Sequence, residues 1–166
     1  MEESFNNGNP GRVIIRKAEP RDIPALTALS AELGYETTEA EVARRFARLS
    51  EKESHYLYVA ALPEIVGFIS FEPYQGIYFD EGLNITGLVV TREFRNRGIG
   101  KMLVAAAEAI AREGGYAFLR ANSSSHRTGA HEFYRNQGFD SEKEQKRFLK
   151  WVKKGNRGDF FQSRRG

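Results

Sequence analysis

The spacing of hydrophobic residues changes several times along this chain, and each change marks a new element. Arg12 to Lys17 (Arg-Val-Ile-Ile-Arg-Lys) reads as a first strand. Pro20 to Leu33 reads as a helix, with Asp22 as its N-cap, Pro24 in the first turn, and Leu26, Leu29 and Leu33 on one face. Gly34 stops it. Thr38 to Glu53 repeats the helical spacing through Val42, Phe46 and Leu49. Tyr56–Ala61 and Ile65–Phe71 read as strands joined by a short Leu-Pro-Glu turn, and Leu83–Thr91 as a further strand. Ile99–Glu113 carries the clearest helical stripe: Ile99, Met102, Leu103, Ala106, Ala107 and Ile110. Gly114 and Gly115 end it. Tyr116–Ala121 reads as a strand and Gly129–Gln137 as a short helix closed by Gly138. Phe139–Glu142 and Arg147–Val152 read as a last pair of strands.

Helices therefore alternate with strands around one mixed sheet. The class expected is α/β or α+β, with about six to seven strands flanked by about four helices. A chain of 166 residues fits one domain, long enough to bury a core without staples. Residues 1–11 read as a flexible N-terminal tail, 12–152 as the domain and 153–166 as a basic C-terminal tail.

Composition narrows the field. Apolar residues make up 40% and charged residues 28%, an ordinary globular balance. No run of about 18 apolar residues exists, so no membrane partner is expected. Met1 to Gly11 lacks the apolar stretch of a secretory signal. There are no cysteines, which excludes disulfides, thiolate zinc sites and a covalent thioester intermediate, and a cytoplasmic protein is expected. The net charge is +3 and the pI is about 9.2, which is mildly basic. Aromatics do not interleave with the basic residues on a strand face, so nucleic acid is not an expected partner. His126 and His131 miss the spacing of one helical turn, and no metal is expected.

The basic residues Arg92, Arg95, Arg97 and Lys101 sit on a glycine loop between strand and helix. A helix N-terminus presents unpaired N–H donors and partial positive charge, which suits phosphate oxygens. Gly98 and Gly100 remove Cβ atoms where a ligand must approach the backbone. The loop is not a mononucleotide P-loop, because Met102 follows Lys101 and the first glycine is missing. Nor is it the dinucleotide fingerprint, which needs a third glycine after Gly98-Ile99-Gly100.

It does match R-x-x-G-x-G after an L-x-V strand. Downstream, Ala130-His131-Glu132-Phe133-Tyr134-Arg135-Asn136-Gln137-Gly138-Phe139 matches A-x-x-F-Y-x-x-x-G-F. Together, in this order, the two motifs resemble those of the GCN5-related N-acetyltransferases (GNAT). The resemblance spans roughly residues 12–152, and its specific part is 88–139. It implies acetyl-CoA as co-substrate, with Arg95, Asn96, Arg97, Gly98, Ile99, Gly100 and Lys101 around the pyrophosphate. Leu88, Val89 and Val90 would line the pantetheine arm with backbone groups. Asn122, at the end of its strand, would hydrogen-bond pantetheine or substrate, or serve only as a polar strand end.

Acetyl transfer requires a neutral amine, a polarised carbonyl and a proton for the departing sulfur. A thiol of pKa about 8.5 is suitably served by a phenol of about 10. The resemblance gives that role to Tyr134, in preference to a tyrosine that only packs on a short helix. The serines 123–125 have no partner base in the sequence. The strand before the loop, Leu83-Asn84-Ile85-Thr86-Gly87-Leu88, carries no acid. Asn84 and Thr86, expected on the same side as Leu88, offer sites for a water. Glu72 and Glu81, with Asp80, are the nearby acids that would draw the proton or recognise a cationic amine. Solvated loop acids are the plainer explanation for each.

The segment Glu72 to Gly82 is aromatic and acidic, suiting a basic or amphipathic amine on a small molecule or peptide. Phe148, Leu149, Trp151 and Val152 suit a homodimer contact, and core packing explains them as well. The activity expected is acetyl transfer from acetyl-CoA directly to a primary amine; the alternative is a non-catalytic acetyl-CoA-binding sensor or regulatory module.

Overall fold

The computed structural model describes residues 11–124, 127–141 and 146–152. Five strands form one sheet in the order β1-β2-β3-β4-β5. They are β1 (Ile14–Lys17), β2 (Tyr56–Leu62), β3 (Glu64–Gly76), β4 (Phe79–Val90) and β5 (Leu119–Ala121). The first four pair antiparallel and β5 joins β4 in parallel. The helices are α1 (Ile23–Glu32), α2 (Glu39–Ser50), α3 (Ile99–Glu113) and α4 (Thr128–Asn136).

Alternation along the strands divides the core between two faces. Ala60, Ile69, Phe71, Leu83 and Ile85 pack with Ile99, Leu103, Val104 and Ala107 of α3. On the opposite face Val59, Phe68 and Val89 pack with Leu26 and Leu29 of α1, and with Val42 and Phe46 of α2. The buried face of α3 is centred on Ile99, Leu103, Val104, Ala107 and Ala111; Met102, expected in that stripe, is exposed.

Asp22 stands at the N-cap position of α1 as expected, but its side chain makes no cap hydrogen bond to that helix. It lies in helical conformation, buried, and its carboxylate accepts from Arg16 Nη1 at 2.7 Å and Nη2 at 2.8 Å. It also accepts from the Glu19 backbone N–H at 2.8 Å. The bidentate pair pins the start of α1 to β1. At α2, Thr38 and Glu41 form a reciprocal capping box.

Three other expectations change. The sheet has five strands, not about six to seven, because residues 139–141 and 146–152 make no sheet ladder among the described residues. The alternating pattern of 147–152 is strand-like, but Phe148 and Val152 are about nine-tenths exposed and no strand covers them. Glu142 and both tails, residues 1–10 and 153–166, lie outside the described residues, as do Ser125 and His126. Finally, the 72–82 segment is not a loop: β3 and β4 continue through it as a hairpin arm that turns at Ile77 and Tyr78.

Candidate active site

The site is built where β4 leaves β5. The two strands pair only at Leu83–Leu119, Asn84–Arg120 and Ile85–Ala121, so β4 runs on from Thr86 to Val90 without a β5 partner. Ser70 pairs with Gly87 but Phe71 pairs with Ile85, which leaves Thr86 as an extra residue in a β-bulge. The bulge shifts the alternation: Ile85 and Leu88 both face α3, while the Thr86 hydroxyl reaches Ser70 on the α1 face. Thr86 therefore does not share a side with Leu88 as the sequence suggested. A single inserted residue inverts every later side chain.

The same ladder aims the backbone. The Thr91 N–H donates to Val66 O across β3, at 2.8 Å. Alternation then turns the N–H and C=O groups of Leu88 and Val90 toward the open edge, and those of Val89 toward β3. At that edge Arg95 Nε donates to Val90 O at 2.9 Å, and Arg95 lies 3.5 Å from Glu32 of α1. The Arg97 guanidinium stacks over the Phe94 ring at 5.0 Å. Arg95, Arg97 and Lys101 are all exposed.

Between them the chain bends through two left-handed residues, Asn96 at φ 60° and Gly98 at φ 79°. Gly98 is the N-cap of α3 and its cap position is free of side chains. A Cβ on Gly98 would meet nothing within 4 Å. This is an open cradle of backbone N–H groups at a helix start, as an anion requires.

Gly100 is the second residue of α3, and Phe133 of α4 fills the space its Cβ would take. Tyr134 follows, half-buried, with its ring edge-on to Phe133 at 5.3 Å and to Phe139 at 5.2 Å. Burial pushes the Tyr134 phenol up, and the positive charge of Arg127 opposes that. The phenol is held protonated, as a proton donor must be. Asn122, exposed just past β5, accepts from Arg120 Nη2 at 3.2 Å. Arg127, absent from the sequence reading, donates to Leu33 O at 3.0 Å and ties the β5–α4 connection to the end of α1.

Glu72 and Glu81 line one cavity of about 310 Å³ with Lys52, Ser54, His55, Pro73, Gln75 and Tyr116. Asp80 is not among its lining residues. The Tyr116 phenol is pushed up to about 12, chiefly by a hydrogen bond with Tyr56. His55 is the other residue the sequence did not announce. Its ring is almost wholly buried, with Nε2 3.2 Å from Ser70 Oγ and Nδ1 3.7 Å from Glu72. Burial lowers its pKa and Glu72 partly restores it. A lone histidine before a strand carries no motif, so only the fold reveals it. Asn84, opposite Glu72 across β3 and β4, has a buried Oδ1 with no hydrogen-bond partner among the described residues.

Comparison with known proteins identifies the class. Residues 23–139 match the description of the acetyltransferase (GNAT) family. A Bacillus subtilis (strain 168) relative, "Uncharacterized N-acetyltransferase YhdJ", is 33% identical over 115 residues, 67% of this chain and 76% of the relative. Aminoglycoside 6'-N-acetyltransferase AAC(6')-Ih from Acinetobacter baumannii superposes with a TM-score of 0.75 at 16% identity, covering 86% of this chain and all of that one. AAC(6')-Iy, solved with the bisubstrate analog CoA-S-monomethyl-acetylneamine, superposes with a TM-score of 0.72 at 17% identity, covering 87% and 100%. The last two share the fold.

The chain belongs to the GNAT acetyltransferase family. It is an N-acetyltransferase that uses acetyl-CoA and acetylates an amine. The open Gly98 cradle and the unpartnered edge of β4 fit that co-substrate. No observation favours the non-catalytic alternative. No helix of the described residues is long and apolar enough to cross a membrane.

Proposed function

We propose that this enzyme acetylates a cationic primary amine, on a small molecule or a peptide, drawn to the acidic and aromatic surface of the β3–β4 arm. One observation carries this reading: Glu72 and Glu81 line a single cavity, so negative charge gathers at one end of the sheet, where Asn84 stands opposite Glu72. A protonated amine is recognised by such a set.

Acetyl-CoA supplies the acetyl group as a thioester. The backbone N–H groups of Gly98, Ile99, Gly100 and Lys101 hold phosphate oxygens, with Arg97 and Asn96 closing the cradle and Arg95 bracing it from Val90. Leu88 and Val90 offer main-chain groups along the open edge, with Val89 anchoring the strand in the α1-side core, and Asn122, just past β5, offers its amide to pantetheine or substrate. Tyr134 holds the proton that the departing sulfur needs. Glu72 and Glu81 serve the amine by attraction and by drawing its proton away through intervening polar groups. With no cysteine in the chain, transfer is direct from thioester to amine. The exposed Phe148 and Val152 support a homodimer contact, and the cysteine-free composition supports a cytoplasmic enzyme.

The test is thiol release from acetyl-CoA with spermine, kanamycin and a lysine-bearing tetrapeptide, beside aniline as a primary amine that is uncharged at neutral pH. Release with at least one cation, weakened by raised salt, supports the reading. Equal and salt-insensitive rates with cationic and uncharged amines would contradict it.

A further inference from the structure

A continuous chain of polar contacts crosses the sheet beneath the bulge. Thr86 Oγ1 lies 2.9 Å from Ser70 Oγ. Ser70 Oγ lies 3.2 Å from His55 Nε2, and His55 Nδ1 faces Glu72 at 3.7 Å. One end, Thr86, is exposed and is the first residue of β4 beyond the β5 ladder, at the fork of the two strands. The other end, His55 with Glu72, lines the 310 Å³ cavity. The chain thus joins the fork to a second opening on the surface. Packing alone does not explain it: His55 Nδ1 is buried without a hydrogen-bond partner, a costly arrangement for a purely structural ring.

We propose that Thr86, Ser70 and His55 form the proton exit of the acetylation site, with Glu72 stabilising the imidazolium that forms. This deepens the amine-acetylation reading above and rests on it. In the transfer the amine nitrogen bonds to the acyl carbon and the carbon–sulfur bond breaks. The sulfur keeps the electron pair and takes the Tyr134 phenol proton. The nitrogen yields one proton to Thr86 Oγ1, whose own proton, which rests on Ser70 O at 3.1 Å, turns to Ser70 Oγ, and the serine proton passes to His55 Nε2. His55 then releases a proton into the cavity, and Tyr134 regains one from water, so charge and protons balance.

The electrostatics suit this direction of travel. Glu72 of β3 faces His55, Lys52 approaches from the α2–β2 turn, and Glu81 and Tyr116 line the same cavity from β4 and the α3–β5 connection. Burial keeps His55 neutral near pH 7, so Nε2 has a free electron pair; Glu72 offsets part of the cost of charging it. His55, its ring buried, is a positioning and relay residue, whereas Thr86 is exposed at the fork of β4 and β5.

Two measurements decide. Imidazole 15N NMR of the whole protein reads the relay without turnover. Neutral His55 carries its proton on Nδ1, and Nε2 accepts from Ser70; Ser70→Ala alters the Nε2 signal. The Nε2–H tautomer would overturn the proposal. Kinetics with the best amine of the panel give the second reading. His55→Gln and Thr86→Val each lower kcat by about 10- to 100-fold, within the usual range for losing proton transfer. Thr86→Ser restores most of it. The acid limb of kcat/KM is one unit shallower in His55→Gln than in wild type. Calorimetric coenzyme A affinity is unchanged throughout. An acid limb of unaltered slope in His55→Gln would overturn the relay alone; loss of coenzyme A binding would instead count against the fold of the variant, with Thr86→Val, at an exposed position, then deciding.

Discussion

Phe133 lies against Gly100: a Cβ built on this glycine would fall 3.1 Å from Phe133 Cε2. The two residues belong to the two sequence motifs, 33 positions apart, and their contact fixes α4 against the first turn of α3. Phe133 in turn holds the Tyr134 ring edge-on. The phosphate cradle and the tyrosine hydroxyl are therefore set by one packing contact.

Gly100→Ala should disturb both ends of that arrangement. The added methyl is about 0.3 Å closer to the ring than ordinary contact, so α4 must yield. We expect kcat to fall several-fold and coenzyme A affinity to drop by less, measured by thiol release and calorimetry. Unchanged kcat would show that α4 is not positioned by this contact.

Tyr134→Phe keeps the ring that packs on Phe133 and Phe139 and removes only the hydroxyl. It should lower kcat by about 100-fold, the usual scale for a general acid, while coenzyme A affinity stays within about twofold. Its melting temperature should stay close to that of wild type. Full turnover in this variant would remove the assigned role.

Asp22→Asn tests the junction of β1 and α1. Burial pushes the Asp22 carboxyl up, but bonds from Arg16 and the Glu19 N–H outweigh it, and its pKa is lowered overall. A lowered carboxylate contributes stability above its unfolded value of about 3.9, lost as pH falls through the folded value. The substitution should cost about 3 kcal/mol at pH 7, since it leaves Arg16 without its partner. Denaturant curves should show the gap to wild type narrowing as pH falls below about 4. A gap constant with pH would mean that the pair's charge contributes nothing.

Arg127→Ala removes the bond to Leu33 O that ties the β5–α4 connection to α1. We expect KM for the amine to rise several-fold while coenzyme A affinity is kept, because the connection leads into the helix that carries Tyr134. A matching loss of coenzyme A affinity would place Arg127 in the cradle instead.

Much of this was legible in the residues. Ile99–Glu113 carried its helical stripe and its glycine stop, and the structure gives that helix the same bounds. Gly98 and Gly100 announced a loop that avoids Cβ atoms, and one is left-handed while the other is filled by an aromatic neighbour. The Thr86 bulge was not legible, since an inserted residue leaves the strand's composition unchanged and only the register Ser70–Gly87 against Phe71–Ile85 exposes it. That error put Asn84 and Thr86 with Leu88. Asp22 holds the N-cap position that the sequence indicates, but caps and buried ion pairs use the same residue type, and Arg16 takes its carboxylate. His55 and Arg127 act through partners 15 and 94 positions away, beyond any local pattern. The strand-like alternation of 147–152 makes no sheet ladder among the described residues, since alternation alone makes no ladder.

The central claim is that the loop from Arg95 to Lys101 holds the pyrophosphate of coenzyme A. Calorimetric titration of the wild type with acetyl-CoA tests it most directly, beside an Arg97→Ala/Gly98→Trp double variant. Gly98 has open space on its Cβ side and a positive φ, so the indole would fill the cradle and the missing arginine would weaken attraction. The account predicts saturable one-site binding by the wild type, lost in the folded double variant. Equal binding by both proteins, or none by the folded wild type, would contradict it.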